Sequence, residues 1–475
     1  MTDPLAPALA LASSRLSPPP TPWRSVVIHA GVLAIWIALF AFAFACGGVL
    51  AWSVGIAYIA YDTLLQGFVG WHTWRLLRPR AAAVAGGPCS VAVIVAAHDE
   101  ARVLPATLAA LLAQDEPPEQ IVIADDGSKD ATAELLFERY GLVAPELGAS
   151  SAPSPLHPSL VWLRLPHGGK ARALNAAIVR VASEVVLTVD ADTLLDARAI
   201  GAVRRAFAAE AALVAVTGVI TPVCKSTLAG RCLEWFQTYE YIRNFLSRYA
   251  WMQVESLLLI SGAFAGFRRS AVVAVGGFDA ACLVEDYELI HRLRRRAVDD
   301  GLDWRFSVLG DAQARTEAPG SLGAFLRQRR RWFGGFLQTQ YWYRAMVGDG
   351  RAGRLGTLML PVKAIDTLQP LYGLTAFALL VVYALRGRID VVAPVAGIIG
   401  AKIAVDLAFH LWSVHLYRRW LGDARRASFG WALVAALAEP FTFQLLRHAG
   451  AALGWIAFLT RQRSWGRQTR FGLDA

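Results

Sequence analysis

The chain has 475 residues, 55% of them hydrophobic and only 18% charged, with a formal net charge of +10 and a mean hydropathy of +0.41. That balance excludes a highly charged disordered chain and is too apolar for an ordinary soluble domain, so an integral membrane protein with its positive charge gathered on one side is expected. The arginines cluster beside the apolar blocks, which favours a lipid bilayer over nucleic acid as the partner of the basic excess.

Residues 1–24 are rich in Ala, Pro and Ser, with Pro18-Pro19-Pro20, and are expected to form a disordered tail. From Val26 to Trp74 Asp62 is the only acid. The run exceeds the roughly 20 residues of one crossing. Gly47-Gly48 divides it, so a helical hairpin, Val26–Cys46 and Val49–Trp71, is predicted within residues 25–75. A cleaved signal peptide is not expected, because a second apolar run follows directly. Arg15 and Arg24 precede the hairpin and Arg75, Arg78 and Arg80 follow it, so both flanks are expected in the cytoplasm.

After a small-residue linker, Ala81–Pro88, strands and helices alternate across residues 88–320, as in an α/β domain with a mostly parallel sheet. Predicted strands are Ser90–Ala96, Gln120–Ala124, Val161–Leu165, Val185–Val189 and Thr217–Pro222. Predicted helices are Arg102–Ala113, Ala131–Tyr140 (with Asp130 as its cap), Ala171–Val181, Leu228–Tyr249 and Glu288–Arg296. Gly148–Ser159 is expected to be a surface insertion. Phe325–Tyr343, within residues 321–350, mixes Arg with Trp, Phe and Tyr at helical spacing, as in a helix lying in a membrane surface. Three apolar blocks fill residues 355–460: Leu355–Leu385, Val391–Trp412 and Phe429–Leu459, the last interrupted at Glu439-Pro440. Arg418, Arg419, Arg425 and Arg426 mark the loop before that last block as cytoplasmic. The basic tail, residues 461–475 with Arg461, Arg463, Arg467 and Arg470, asks for the same side. One simple crossing does not satisfy both, so the last block is expected to re-enter or the tail to break the rule. Cys46, Cys89, Cys224, Cys232 and Cys282 form no CxxC pair and no metal spacing, as expected of reduced thiols.

Acidic clusters end two of the strands. Asp125-Asp126-Gly127-Ser128 follows one, and Asp190-Ala191-Asp192 follows another, with Asp190 and Asp192 expected on one side by strand alternation. Ligands bind at the carboxyl ends of the strands of an open sheet. Paired carboxylates facing a phosphate ligand call for a hard cation, Mg2+ or Mn2+. Lys170, behind Gly168-Gly169 at a helix start, suits phosphate through its ammonium group, backbone N–H groups and the helix dipole. It is not a Walker loop: the GxxxxGK[ST] spacing is absent and Ala171 stands at the hydroxyl position.

In order, Ala97-His98-Asp99-Glu100, Asp125-Asp126-Gly127-Ser128, Gly169-Lys170 with Asn175, Asp190-Ala191-Asp192, Ser261-Gly262-Ala263, Gly276-Gly277-Phe278-Asp279, Glu285-Asp286 and Gln328 with Arg331-Trp332 resemble the motif series of membrane-embedded, processive family-2 glycosyltransferases. Among these, the bacterial poly-N-acetylglucosamine synthases are the nearer likeness and the cellulose, chitin and hyaluronan synthases the more distant one. The resemblance implies a GT-A-like sheet and an inverting, metal-dependent transfer. It implies that Glu100 and Asp126 contact the uridine of a UDP-sugar donor, with Asp125 nearby. Lys170 and Asp190 would contact the nucleotide, Asp192 the metal, and Asp286 would be the general base. Gln328, Arg331 and Trp332 match the family's QxxRW signature at the acceptor end. Two positions depart from the pattern: Asp99 stands where Asn is usual, and Val284 where Thr commonly precedes Glu-Asp.

The expected partners are a UDP-sugar, with N-acetylglucosamine first and glucose next, a polysaccharide or lipid acceptor, and the bilayer, together with accessory export or regulatory subunits. The expected setting is a bacterial inner membrane with the catalytic domain in the cytosol. Lys363, Asp366, Lys402, Asp406, His410 and Glu439 lie inside apolar blocks, where polar groups line a protein interior or a water-filled path. A polymer synthase that exports its product, a single-transfer enzyme acting on a lipid, and a non-catalytic membrane scaffold are the three functions this pattern admits.

Overall fold

The computed structural model describes residues 4–78, 89–422 and 427–461. The linker Ala81–Pro88, Arg80, Arg425, Arg426, and Arg463, Arg467 and Arg470 of the basic tail lie outside them. Residues 4–22 are ordered against the rest of the chain, contrary to the expectation of a disordered tail. A short helix, α1 (Ala6–Ala12), is followed by the fully buried Ser13 and Ser14, and Arg15 bonds Asp279. Its richness in Ala, Pro and Ser hid this, because its contacts are made by a few apolar and hydroxyl side chains rather than by a periodic face.

The hairpin is α2 (Trp23–Ala45) and α3 (Ser53–Thr73). The domain that follows runs β1 (Val91–Ala97), α4 (Leu104–Leu112), β2 (Gln120–Asp125), α5 (Thr132–Tyr140), β3 (Leu160–Arg164), α6 (Lys170–Ile178), β4 (Val185–Asp190), β5 (Thr193–Leu195), α7 (Ala199–Ala209), β6 (Leu213–Val223), α8 (Leu228–Gln253), β7 (Phe264–Arg268), α9 (Arg269–Ala274), α10 (Glu285–Asp300) and β8 (Arg305–Glu317). The eight strands form one sheet in the order β3-β2-β1-β4-β7-β6-β8-β5. β1, β2, β3 and β4 pair in parallel, as their continuous apolar runs require of strands covered on both faces. Beyond β4 the sheet is mixed, because β7 runs antiparallel to both β4 and β6. Sequence reading missed β5, β7 and β8, and the helices α7 and α9. β7 carries Gly266 and the charged Arg268, and β8 spreads its apolar residues among Gly310, Asp311 and Gln313, so neither shows a clean alternation.

The C-terminal part runs α11 (Leu322–Trp342), α12 (Leu360–Leu385), α13 (Ile389–Leu421), α14 (Phe429–Ala438) and α15 (Phe443–Leu459). Among the described residues four helical segments, Trp23–Ala45, Gly48–Leu77, Leu355–Leu385 and Ile389–Leu421, are long and apolar enough to cross a membrane. The pair Phe429–Phe441 and Phe443–Leu459 adds a fifth if counted as one span, bent by 50°. The α-helix stops before Glu439-Pro440, where the interruption was expected, a 3-10 turn covers Glu439–Phe441, and the bend itself falls at Thr442. Outward-facing Ile35, Ile37, Phe42 and Leu64 on the first two helices are exposed, as lipid contact demands.

Arg419, at the end of α13, bonds the carbonyls of Leu76 and Leu77 just past α3, so these two helix ends share one side. A re-entrant path for the bent pair would put Arg461 there as well, as the charge pattern asks. α11 does not lie free on a surface. It packs lengthwise on α15, where Gly454 meets the backbone of Gly334, and Arg329 forms two bonds to Glu240 of α8 at 2.9 and 2.6 Å.

Candidate active site

Register alone gathers the acidic motifs. In the parallel sheet Ala97 pairs with Asp125, and Ala96 with Asp190, so β1, β2 and β4 end within one residue of each other. Each of these strands stops at residues that favour turns over continuation. Asp99 follows β1 with a φ of +55°, a region that Asn and Asp enter more readily than other residues. Its Oδ1 accepts the Lys129 N–H at 2.7 Å. An Asn carbonyl would serve this bond equally, so the departure Asp99 preserves the loop.

Asp125 and Asp126 diverge at the end of β2. Asp125 is buried and accepts from Ser128 N–H at 2.9 Å and Trp162 Nε1–H at 3.2 Å. Asp126, 3% exposed, accepts the N–H groups of Gly168 and Gly169 at 2.7 and 2.8 Å, one on each carboxylate oxygen. Here Asp126 fixes the loop leading into α6, which sets where Lys170 begins. Its neighbours His98 and His167 stack with ring centroids 4.2 Å apart and both meet the Asp126 carbonyl. Glu100 is half-buried, and its carbonyl accepts from Val103 and Leu104 as α4 starts.

The strand ends at Asp190 and a turn follows, so alternation does not govern Asp192 and the two carboxylates part. Asp190 pairs with the Lys170 ammonium, whereas buried Asp192 faces the hydroxyl of Thr316 at 3.4 Å. Lys170 also reaches Glu285 at 3.8 Å. Burial works against its charge, but Asp190, Glu285 and Asp286 together outweigh that and hold its pKa above the ordinary value. Burial raises the Glu285 carboxyl above its usual range, with Lys170 opposing and Asp286 adding to the rise. One lysine thus bridges the strand-end carboxylates and the start of α10.

Asp286 sits in the first turn of α10, where the helix dipole favours a carboxylate. Its Oδ2 accepts Gly262 N–H at 2.7 Å and its Oδ1 accepts Tyr287 N–H at 2.8 Å. A Cβ on Gly262 would lie 2.9 Å from that Oδ2, so the glycine is needed for the close approach. Val284, the second departure, presses on α11 at Gly335. Arg331 of α11 lies within electrostatic reach of Glu285. Trp332 is stacked under Arg329 at 4.7 Å. The Gln328 Oε1 is shielded from solvent and has no hydrogen-bond partner among the described residues.

One residue escaped sequence reading. Arg248 of α8 stands over the Phe245 ring at 4.4 Å, with Nε and Nη1 shielded and unbonded among the described residues. Burial pulls its pKa down to about 10, with Tyr241 and Asp286 opposing, so the guanidinium lies within electrostatic reach of Asp286. No motif contains it, because α8 reads as an aromatic-rich packing helix. His98, Asp126 and His167 form the cluster among the described residues whose ligand atoms lie close enough to hold a metal. Both Asp126 oxygens are already engaged by backbone N–H groups, however, and two imidazoles suit a hard cation poorly.

Residues 88–335 match the family described as glycosyltransferase like family 2. The poly-beta-1,6-N-acetyl-D-glucosamine synthase of Staphylococcus aureus (strain COL) is 29% identical over 247 residues, covering 51% of this chain and 53% of the relative. That of Staphylococcus epidermidis is 28% identical over the same length. The chain thus spans about half the length of these relatives. Among solved structures, the mannosyltransferase PcManGT from Pyrobaculum calidifontis, in complex with GDP-Man and Mn2+, superposes with a TM-score of 0.54 at 22% identity. That likeness covers 82% of this chain and 99% of the other, and is one of fold.

Proposed function

The chain belongs to the glycosyltransferase like family 2, and on that premise we propose that it is an inverting membrane enzyme that transfers a sugar from a UDP-sugar to a growing β-linked polysaccharide. N-acetylglucosamine is the first candidate sugar, from the relatives' printed activity, and glucose the second. The observation that carries the reading is the Lys170 bridge, which joins Asp190 at the strand ends to Glu285 beside Asp286. Donor and acceptor halves thereby meet in one site.

In this reading the acceptor hydroxyl attacks the anomeric carbon while Asp286 takes its proton, and the bond to UDP breaks. Lys170 and Arg331 stabilise the charge that grows on the diphosphate. Glu100 and Asp125 lie toward the nucleoside. Asp126 acts there through the loop it holds. Trp332 offers a ring face to the acceptor sugar, and Gln328 and Arg248 offer it hydrogen-bonding groups.

Asp192 fits a hard cation better than the His98–Asp126–His167 cluster does, being a buried oxygen ligand near the phosphates' expected place. Mg2+ or Mn2+ bound there would neutralise diphosphate charge. The setting we infer is a bacterial inner membrane with the site in the cytosol. Buried Glu439, bonded by Arg243, and Asp406, bonded by Lys402, would belong to the saccharide's path between the helices.

The test is UDP release by purified full-length protein from a panel of sugar nucleotides, with Mg2+ or Mn2+, followed by product sizing. A polymer from one UDP-sugar, lost on chelation and in Asp192→Asn, supports the reading. A product limited to one sugar on a lipid would sink the polymer assignment. Release unaffected by Asp286→Asn would sink the assignment of the base.

A further inference from the structure

Residues 5–21, expected to be disordered, bind three parts of the site's framework. Leu5 and Leu9 pack on the Gly276-Gly277 turn, whose φ values are +87° and +69°. A Cβ at Gly276 would lie 2.1 Å from the Leu9 nitrogen, so the contact is backbone against backbone. Arg15 then forks onto the carboxylate of buried Asp279, with Nε–Oδ2 2.7 Å and Nη2–Oδ1 2.9 Å. The same Gly-Gly-Phe-Asp turn is held from behind by Asn175, which bonds both the N–H and the carbonyl of Phe278. The loop from Asp279 leads directly into α10.

The segment also grips α10 and α11. Arg295 of α10 donates to Ser14 Oγ at 2.7 Å. The Arg15 guanidinium lies over the ring of Trp342 at the end of α11, and Arg344 just beyond donates to Thr21 Oγ1 at 2.6 Å. α10 carries Asp286 and α11 carries Gln328, Arg331 and Trp332. The start of α10 meets α11 directly, with Val284 against Gly335 and the Tyr287 ring 4.9 Å from that of Phe336, and just past α11 Tyr343 lies against His291 and bonds Glu288 through its hydroxyl.

We propose that this N-terminal segment is a strap that sets α10 against α11, with Arg15 as the positioning residue that holds Asp286 in register with the acceptor side. Arg15 touches no reacting atom. It acts through Asp279, whose buried carboxylate loses its counter-cation when the guanidinium is removed. The proposal rests on Asp286 being the base.

The experiment compares wild type, Arg15→Ala, Arg15→Lys and Leu5→Asp as full chains in nanodiscs. It measures UDP release, calorimetric UDP binding and thermal unfolding. Arg15→Ala should lower kcat about ten- to a hundredfold, because a misplacement of about 1 Å at a reacting group costs up to about that much. Donor KM and UDP affinity should stay within about twofold. Arg15→Lys should recover most of the rate, and Leu5→Asp, which detaches the strap without touching Arg15, should reproduce the loss. A folded Arg15→Ala protein with wild-type kcat overturns the strap, and so does a loss of kcat that UDP affinity follows in step. If Arg15→Ala does not fold, Leu5→Asp decides on the same criteria. A wild type that binds UDP but transfers no sugar would instead overturn the underlying assignment of function.

Discussion

Gly262→Ala tests the geometry of the proposed base, Asp286, with a single methyl group. Gly262 has no positive φ, so alanine is compatible with the backbone, and the overpacking against Asp286 should cost about 1–3 kcal/mol of stability. The added carbon would lie 2.9 Å from Asp286 Oδ2, 3.1 Å from its Cβ and 3.2 Å from its Cγ. Non-bonded contacts settle at about 3.5–4.0 Å, so the carboxylate must retreat by roughly half an ångström or turn away. Either movement lengthens the 2.7 Å bond from Gly262 N–H that orients it. With about a hundredfold at stake for 1 Å, kcat should fall about ten- to thirtyfold, at unchanged donor KM and UDP affinity. Asp286→Asn keeps the shape but removes the proton acceptor, and should cost about 10²–10⁴. The assay is UDP release at saturating donor, beside calorimetric UDP binding. Wild-type kcat in Gly262→Ala, or a rise in donor KM at constant kcat, would refute the placement of Asp286 as base.

Arg248→Ala should raise the KM for a β-linked oligosaccharide acceptor about tenfold or more, the worth of a charge-assisted hydrogen bond, while donor KM holds; an unchanged acceptor titration would remove Arg248 from the site. Glu288 and Arg292 of α10 are both 0% exposed and bonded at 2.6 Å. Glu288→Ala strands a buried guanidinium and should destabilise the protein by about 3–5 kcal/mol, so a melting temperature within about a degree of wild type would contradict it. His291, on the same helix, has its pKa lowered to about 4, chiefly by burial, against about 6.5 in the unfolded chain. As pH falls between those values the unfolded chain takes up a proton that the folded one refuses. About 3 kcal/mol of stability should therefore be lost across that window and no more below it. His291→Gln should flatten that part of the melting-temperature profile; an equal slope in the variant would refute it.

What was legible in the sequence followed from chemistry that is local along the chain. β1, β2 and β4 are short apolar, β-branched runs, and only one arrangement buries such runs on both faces, so the acidic turns after them had to share an edge. The helix break at Glu439-Pro440 was visible because proline lacks the donor that a helix interior needs. Less legible was anything decided by partners distant in sequence. Asp126 looks like Asp190 in sequence, yet one is bound by two glycine N–H groups and the other by a lysine. Asp192 turns away from Asp190 toward the hydroxyl of Thr316, over a hundred residues away. Arg248 stands among the aromatic residues of α8 with nothing beside it to signal a charged role. The strap was hidden for the same reason, since Arg15 acquires its meaning only from Asp279.

The glycine seam between α11 and α15 has a mechanical consequence. A Cβ at Gly454 would lie 2.7 Å from the Cβ of Phe333, and one at Gly450 would lie 2.5 Å from that of Arg329. Shifting either helix by one residue would drive a side chain into a gap that admits only hydrogen. α11 therefore behaves as a fixed anvil, held at one height by a neighbour among the membrane-associated helices. On the proposed function, a saccharide moving past Trp332 would advance by turning side chains or by movement of the loops around Asp99 and Lys170, and not by a stroke of the helix itself.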